Sequence, residues 1–183
     1  ENPLLRGQNL CLVFQKSSTR TRCAAVVAAR DEGASAEYLE KSDIHLGKKE
    51  SVADTARVLG RMFDGILFRG FDHRTVEILA EHAGVPVWNG LTDDWHPSQI
   101  LADLQTMKEH FGRLRGLKVV FMGDGRNNVC NSLMVGCGMA GVNVVNCSPA
   151  ELAPHEDVLA MAREAASRNG STVEVCSDPM VAV

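Results

Sequence analysis

The sequence predicts an α/β fold of two doubly wound parallel-sheet domains, the second incomplete in this chain. Three observations predict it. Short β-branched runs alternate with longer segments of helical period, and a polar stretch with two glycines, HFGRLRG at 110–116, separates four βα units from a second set. The closing residues, DPMVAV, carry no terminating signal. Strict alternation of strand and helix calls for parallel pairing, because each connection is then a helical crossover, and such crossovers are right-handed. The expected domains are residues 1–112 and residues 113–183.

The elements follow in order. NLCLVF (9–14) is a short apolar run of strand length, and a helical segment covers 20–32. AEYLE (36–40) is the next strand. Segment 51–62 brings Val52, Ala56, Leu59 and Phe63 into one apolar stripe, opposite a polar face with Asp54 and Arg61. DGILFR (64–69) is an apolar strand ending on Arg69, followed by a helix at 74–83 and the strand VPVWN (85–89). Segment 97–111 repeats the helical stripe with Ile100, Leu104, Met107 and Phe111, and Pro97 suits its first turn. The second set reads LKVVFMG (117–123), helix 127–140, VNVVNC (142–147), helix 154–169 and TVEVC (172–176).

With 45% hydrophobic residues the chain can bury a real core, and its net charge of −4 argues against the basic face that nucleic-acid binding needs. No apolar run reaches the roughly 18 residues of a membrane span, so no membrane partner is expected. The six cysteines form no C-x-x-C pair and lie mostly in apolar segments, which reads as reduced, structural thiols in a reducing compartment. His73, His82, His110 and His155 fall in helical or loop polar faces, and no metal site is expected.

In open parallel sheets ligands sit beyond the carboxyl ends of the strands. Four polar clusters follow strands here: KSSTRT after 9–14, Arg69, NGLTDDWHPSQ after 85–89, and DGRNN after 117–123. They are expected to converge on one crevice. In SSTRT, the unpaired N–H groups of a helix start, the hydroxyls of Ser18, Thr19 and Thr21 and the Arg20 fork together describe a phosphate site. Taken alone, the stretch is equally an ordinary Ser/Thr cap with solvated arginines. It contains no glycine and so is not a Walker loop.

Arg69 is costly at the end of an apolar strand without a partner, although a surface position at the strand end would also suit it. His96 and Gln99 in HPSQ stand three residues apart at a helix start, where both can face a carbonyl and an NH₂ group. A helix cap is an equal reading of that piece. GCGMAG (136–141) matches G-x-G-x-x-G, yet it closes a helix and precedes a strand, where its glycines serve capping and close packing rather than a dinucleotide.

Together these motifs resemble the aspartate/ornithine carbamoyltransferase family. FQKSSTRTR looks like its F-x-K-x-S-T-R-T-R signature and HPSQ like its H-P-x-Q. KKES-x-x-DTARVLGRM, PVWNGLTDDWHPSQILAD and GDGRNN resemble its ornithine branch. The resemblance implies carbamoyl transfer from carbamoyl phosphate to the δ-amine of L-ornithine, giving citrulline and phosphate, with no cofactor and no metal. Ser18, Thr19, Arg20 and Thr21 would hold the phosphate, and Arg69 would bridge phosphate and carbamoyl oxygen. His96 would polarise the carbonyl, Gln99 would hold the carbamoyl nitrogen, and Asn128 would bind the ornithine backbone. His45 matches a position that reaches the phosphate from a neighbouring subunit of a homotrimer with shared active sites. Lys16 and Arg22 are left to shape the local field or pair structurally.

The resemblance further implies that residues 1–112 are the carbamoyl-phosphate-binding domain without its N-terminal helix. Residues 113–183 would be the first part of the ornithine-binding domain, short of the family's S-M-G loop and H-C-L-P segment. The implied location is the cytoplasm, or the mitochondrial matrix in a eukaryote. A carbamoyltransferase for aspartate, putrescine or acetylornithine, or a non-catalytic phosphate-binding module, are the other readings of the same motifs.

Overall fold

The computed structural model describes residues 3–44, 46–47 and 49–183. Two compact units divide the chain, Glu1–Asp93 and Asp94–Val183. In the first, β1 (Asn9–Phe14), α1 (Thr19–Asp31), β2 (Ser35–Glu40), α2 (Val52–Met62), β3 (Gly65–Arg69), α3 (His73–His82) and β4 (Val87–Leu91) alternate as expected. The four strands are all parallel in the order β2-β1-β3-β4. The chain steps outward from β1 to β2, then returns past β1 to β3. The reversal falls between β1 and β3, and a crevice opens at the carboxyl ends of such a pair.

Alternation along β1 assigns its two faces. Cys11 and Val13 lie with Ile66 and Phe68 against Ala56 and Leu59 of α2 and Val76 and Leu79 of α3. Leu12 and Phe14 point the other way, toward Tyr38 and α1, so helices cover both faces and the sheet is doubly wound. Fully burying a side chain such as Phe68 contributes about 1.5–3 kcal/mol, which makes these strands the anchor of the unit.

One strand sits two residues later than expected. The reading from sequence gave 85–89, whereas β4 runs Val87–Leu91. Pro86 has no N–H to give the ladder and contributes only its carbonyl, to Ile66 N at 2.9 Å. A register shift at Phe68/Arg69 then lets Leu91 pair with Arg69.

The second unit holds α4 (Pro97–Phe111), β5 (Lys118–Met122), α5 (Asn128–Ala140), β6 (Asn143–Cys147), α6 (Glu156–Asn169), β7 (Val173–Cys176) and α7 (Pro179–Ala182). Its three strands are parallel in the order β5-β6-β7. Helices α5 and α6 bury Met134, Cys137, Val158 and Ala162 against Val142 and Val144. Val145 and Cys147 face the opposite side, beneath Ala182 of α7. That last turn was not expected from sequence; Asp178 caps it by accepting from Met180 N at 2.9 Å, and Pro179 occupies its first position. Helix α4, grouped by the sequence with the first four βα units, packs on α5 through Ile100.

The GCGMAG segment behaves as its position demanded. Gly141 is the left-handed C-cap of α5, with φ 73°. A Cβ on Gly138 would stand 2.9 Å from Ala162 O and 3.1 Å from Ala166 N, both backbone atoms of α6. The missing side chain is what lets the two helices approach. Gly138→Ala is therefore expected to destabilise the protein by about 1–3 kcal/mol, the scale of core overpacking, read as a lower urea midpoint. An unchanged midpoint would show that α6 yields freely.

Candidate active site

In the first unit, the polar groups gather where the sheet reverses. Phe14 and Arg69 are register partners at the ends of β1 and β3, and Gln15 N donates to Arg69 O at 2.8 Å. Ser18 is the N-cap of α1; its Oγ accepts from Thr21 N at 3.3 Å and donates to Thr21 Oγ1 at 3.1 Å. Arg69 Nη1 donates to the same Thr21 Oγ1 at 3.3 Å. A hydroxyl has two acceptor lone pairs and one donor, so Thr21 is left with its hydrogen to give.

The charges at this corner are unbalanced. Arg69 Nε is buried and has no hydrogen-bond partner among the described residues. Burial, and next the neighbouring Arg20 charge, push the Arg69 guanidinium below its usual pKa. Two like charges beside a capped helix start, one with an unmet buried donor, describe a site that an anion would complete. Thr19 and Arg20 lie exposed on the first turn of α1. Ser18 and Thr19 also line an open concavity of 420 Å³ with Arg22, Tyr38 and Glu40.

The other two cations of FQKSSTRTR have structural partners. Lys16 Nζ pairs with Asp93 Oδ1 at 3.2 Å and lies 4.9 Å from the centre of the Phe71 ring. The Arg22 guanidinium stacks over Tyr38 at 3.7 Å. Both assignments match the reading from sequence. His45 lies outside the described residues.

The second unit carries the remaining candidates. His96 is the residue before α4; its N–H donates to Ser132 Oγ at 2.8 Å, and Ser98 Oγ lies 3.3 Å from its Nδ1. Gln99 Nε2 donates to Asp103 Oδ1 at 2.9 Å, so the donor end of the amide is engaged within the helix. Asn128 opens α5 after the Asn127 cap, one turn from Ser132 and on the same helix face.

Two residues of this second group escaped the sequence reading. Asn131 Nδ2 donates to Asp94 O at 3.1 Å, and both Asn131 and Ser132 are buried on an otherwise apolar helix. They hold the backbone that leads into His96. The available signal was two polar residues on the buried stripe of α5, since buried polar groups need partners. Among the described residues, no group of three or more His, Cys, Asp or Glu is arranged to hold a metal ion, and no helix is long and apolar enough to cross a membrane.

The family model for the aspartate/ornithine carbamoyltransferase carbamoyl-P binding domain matches residues 1–109, and that for the Asp/Orn binding domain matches residues 115–183. The chain belongs to the aspartate/ornithine carbamoyltransferase family. It is 59% identical over 179 residues to a catabolic ornithine carbamoyltransferase of Bacillus licheniformis, covering 98% of this chain and 53% of that protein. To the ornithine carbamoyltransferase of Lactiplantibacillus plantarum it is 57% identical over 182 residues, covering 100% of this chain and 54% of that one. The solved ornithine carbamoyltransferase of Pyrococcus furiosus superposes with a TM-score of 0.95 at 46% identity, over 100% of this chain and 58% of that chain. The chain thus spans about half the length of the curated carbamoyltransferases it matches.

The Ser132 contact yields a direct test. Ser132→Ala removes the acceptor of the His96 N–H and is expected to cost about 0.5–1.5 kcal/mol of stability in urea unfolding. Full wild-type stability would mean that this bond contributes nothing.

Proposed function

We propose that the whole protein transfers the carbamoyl group of carbamoyl phosphate to the δ-amine of L-ornithine, giving L-citrulline and phosphate. The single observation that carries this reading is the unmet Arg69 donor beside Arg20 at the capped start of α1. The names of the relatives, which act for those proteins as ornithine carbamoyltransferases, support the amine.

The roles follow from the chemistry of each group. Ser18, Thr19, Arg20 and Thr21 hold the phosphate with hydroxyls, backbone N–H groups and one guanidinium. Arg69 spans phosphate and carbamoyl oxygen. His96 polarises the carbonyl, Gln99 accepts from the carbamoyl NH₂ through Oε1, and Asn128 binds the ornithine backbone. Attack of the uncharged amine on the carbamoyl carbon builds charge on that oxygen while the bond to the phosphate oxygen breaks. Preorganised donors lower that barrier because they need no reorientation as the charge grows. The amine sheds its proton to the medium, and no protein nucleophile is required.

The domains that serve these two halves are residues 1–112 for carbamoyl phosphate and 113–183 as the opening of the ornithine domain. The working assembly is a homotrimer with shared active sites, in which His45 reaches the phosphate of a neighbour. Its compartment is the cytoplasm, or the mitochondrial matrix in a eukaryote.

Arg20→Ala in the full-length protein is expected to weaken carbamoyl phosphate binding by about 1.5–3 kcal/mol, the worth of a hydrogen bond to a charged group. Calorimetric titration with unchanged affinity would remove Arg20 from the site. Citrulline formation is measured alongside, with ornithine, aspartate and putrescine compared as acceptors. Turnover confined to aspartate or putrescine would overturn the assignment of the amine, and turnover on none would favour a binding module.

A further inference from the structure

Two of the six cysteines meet. Cys147 ends β6 and Cys176 ends β7, and they are direct register partners in parallel strands. Their side chains therefore leave the sheet on the same face, with Cα atoms about 4.8 Å apart, the strand spacing. That separation lies within the roughly 4.4–6.8 Å that a disulfide spans. The two thiols are close enough for Cys176 to act on the Cys147 thiol, and Cys176 Sγ donates to Asp178 O at 3.6 Å. Cys147 is buried beneath Ala182, while Cys176 is half-buried and open to solvent. Cys11, Cys130 and Cys137 are each buried, and Cys23 is exposed on α1.

We propose that Cys147 and Cys176 form a reversible disulfide, a redox modification site whose co-reactant is a low-molecular-weight disulfide such as oxidised glutathione. The accessible Cys176 thiolate attacks one sulfur of the reagent, its S–S bond breaks, and the first glutathione leaves and takes up a proton. Cys147 then attacks the Cys176 sulfur of the mixed disulfide, and the second glutathione leaves in the same way. The two protein thiols give up two electrons and two protons, and the reagent receives both. Burial, then the neighbouring Cys176 thiol, raise the Cys147 thiol above its usual pKa, which suits it to the second step rather than the first.

In-register parallel strands hold Cβ atoms near the strand spacing, wider than the roughly 3.5–4.5 Å of a relaxed disulfide. Closing the bond draws the strand ends together, and a strained disulfide of this kind is readily reduced. The backbone at this point carries other structure. Cys147 O accepts from Gly123 N at 3.1 Å, and Cys176 O accepts from Ser148 N at 3.1 Å. Oxidation therefore acts on the start of the GDGRNN segment.

The test uses the full-length protein, incubated natively with excess oxidised glutathione, alkylated after unfolding and digested without reductant. Mass spectrometry is expected to find Cys147 and Cys176 joined in one cross-linked peptide pair, lost on adding dithiothreitol. Cys147→Ser is expected to stop at a stable glutathione adduct on Cys176, and Cys176→Ser to give no cross-link. A wild-type protein that accumulates the Cys176 adduct without closing the bond would overturn the proposal. So would full alkylation of both thiols.

Discussion

The buried guanidinium of Arg69 at the end of β3, with Arg20 as a charged neighbour on the first turn of α1, sets the terms for the first unit. Arg69 is fixed by the ladder through Phe14 and Gln15, and Arg20 by the first turn of α1. The strand holds Arg69 with its Nε buried, whereas Arg20 is exposed and reaches the corner through a free side chain, so the fixed, unmet donor is that of Arg69. Thr21 is the hinge of that arrangement. It accepts from both Ser18 and Arg69, and its helix position depends on the Ser18 cap. On the proposed reading, a phosphate group would meet at once the charge, the buried Nε and the unpaired N–H groups of the helix start.

The surrounding fold is organised to make that corner rigid. Reversal of strand order between β1 and β3 puts the start of α1 beside the end of β3, where Thr21 and Arg69, 48 residues apart in sequence, are bonded. Buried Cys11, Val13, Ile66 and Phe68 keep the two strands in register beneath them. Lys16 ties the loop after β1 to Asp93 beyond β4, an exposed pair worth little in stability but suited to fixing a chain direction. In the second unit, Asn131 and Ser132 do the same for the segment entering α4.

Local chemistry was legible in the sequence and partnerships across the chain were not. Ser18 and Pro97 announce helix starts, and the alternation of apolar runs with helical stripes announces parallel sheets. The FQKSSTRTR and HPSQ motifs carried the family. Position 85–89 was misread because Pro86 shifts the ladder onto Val87, an effect that depends on which neighbour needs a donor. The ring stacked beneath Arg22 and the acceptor of the His96 N–H lie on other elements, at distances in sequence that periodicity does not encode. Cys147 and Cys176 are likewise paired only by strand register, 29 residues apart by their numbering.

The most direct measurement of the central claim is a double-mutant cycle for stability on Arg20→Ala and Arg69→Gln in the full-length protein. It is run in chloride buffer and again in saturating inorganic phosphate. Mutual repulsion relieved by an anion predicts a coupling that is unfavourable without phosphate and favourable with it. A coupling of the same sign and size in both buffers would contradict the account.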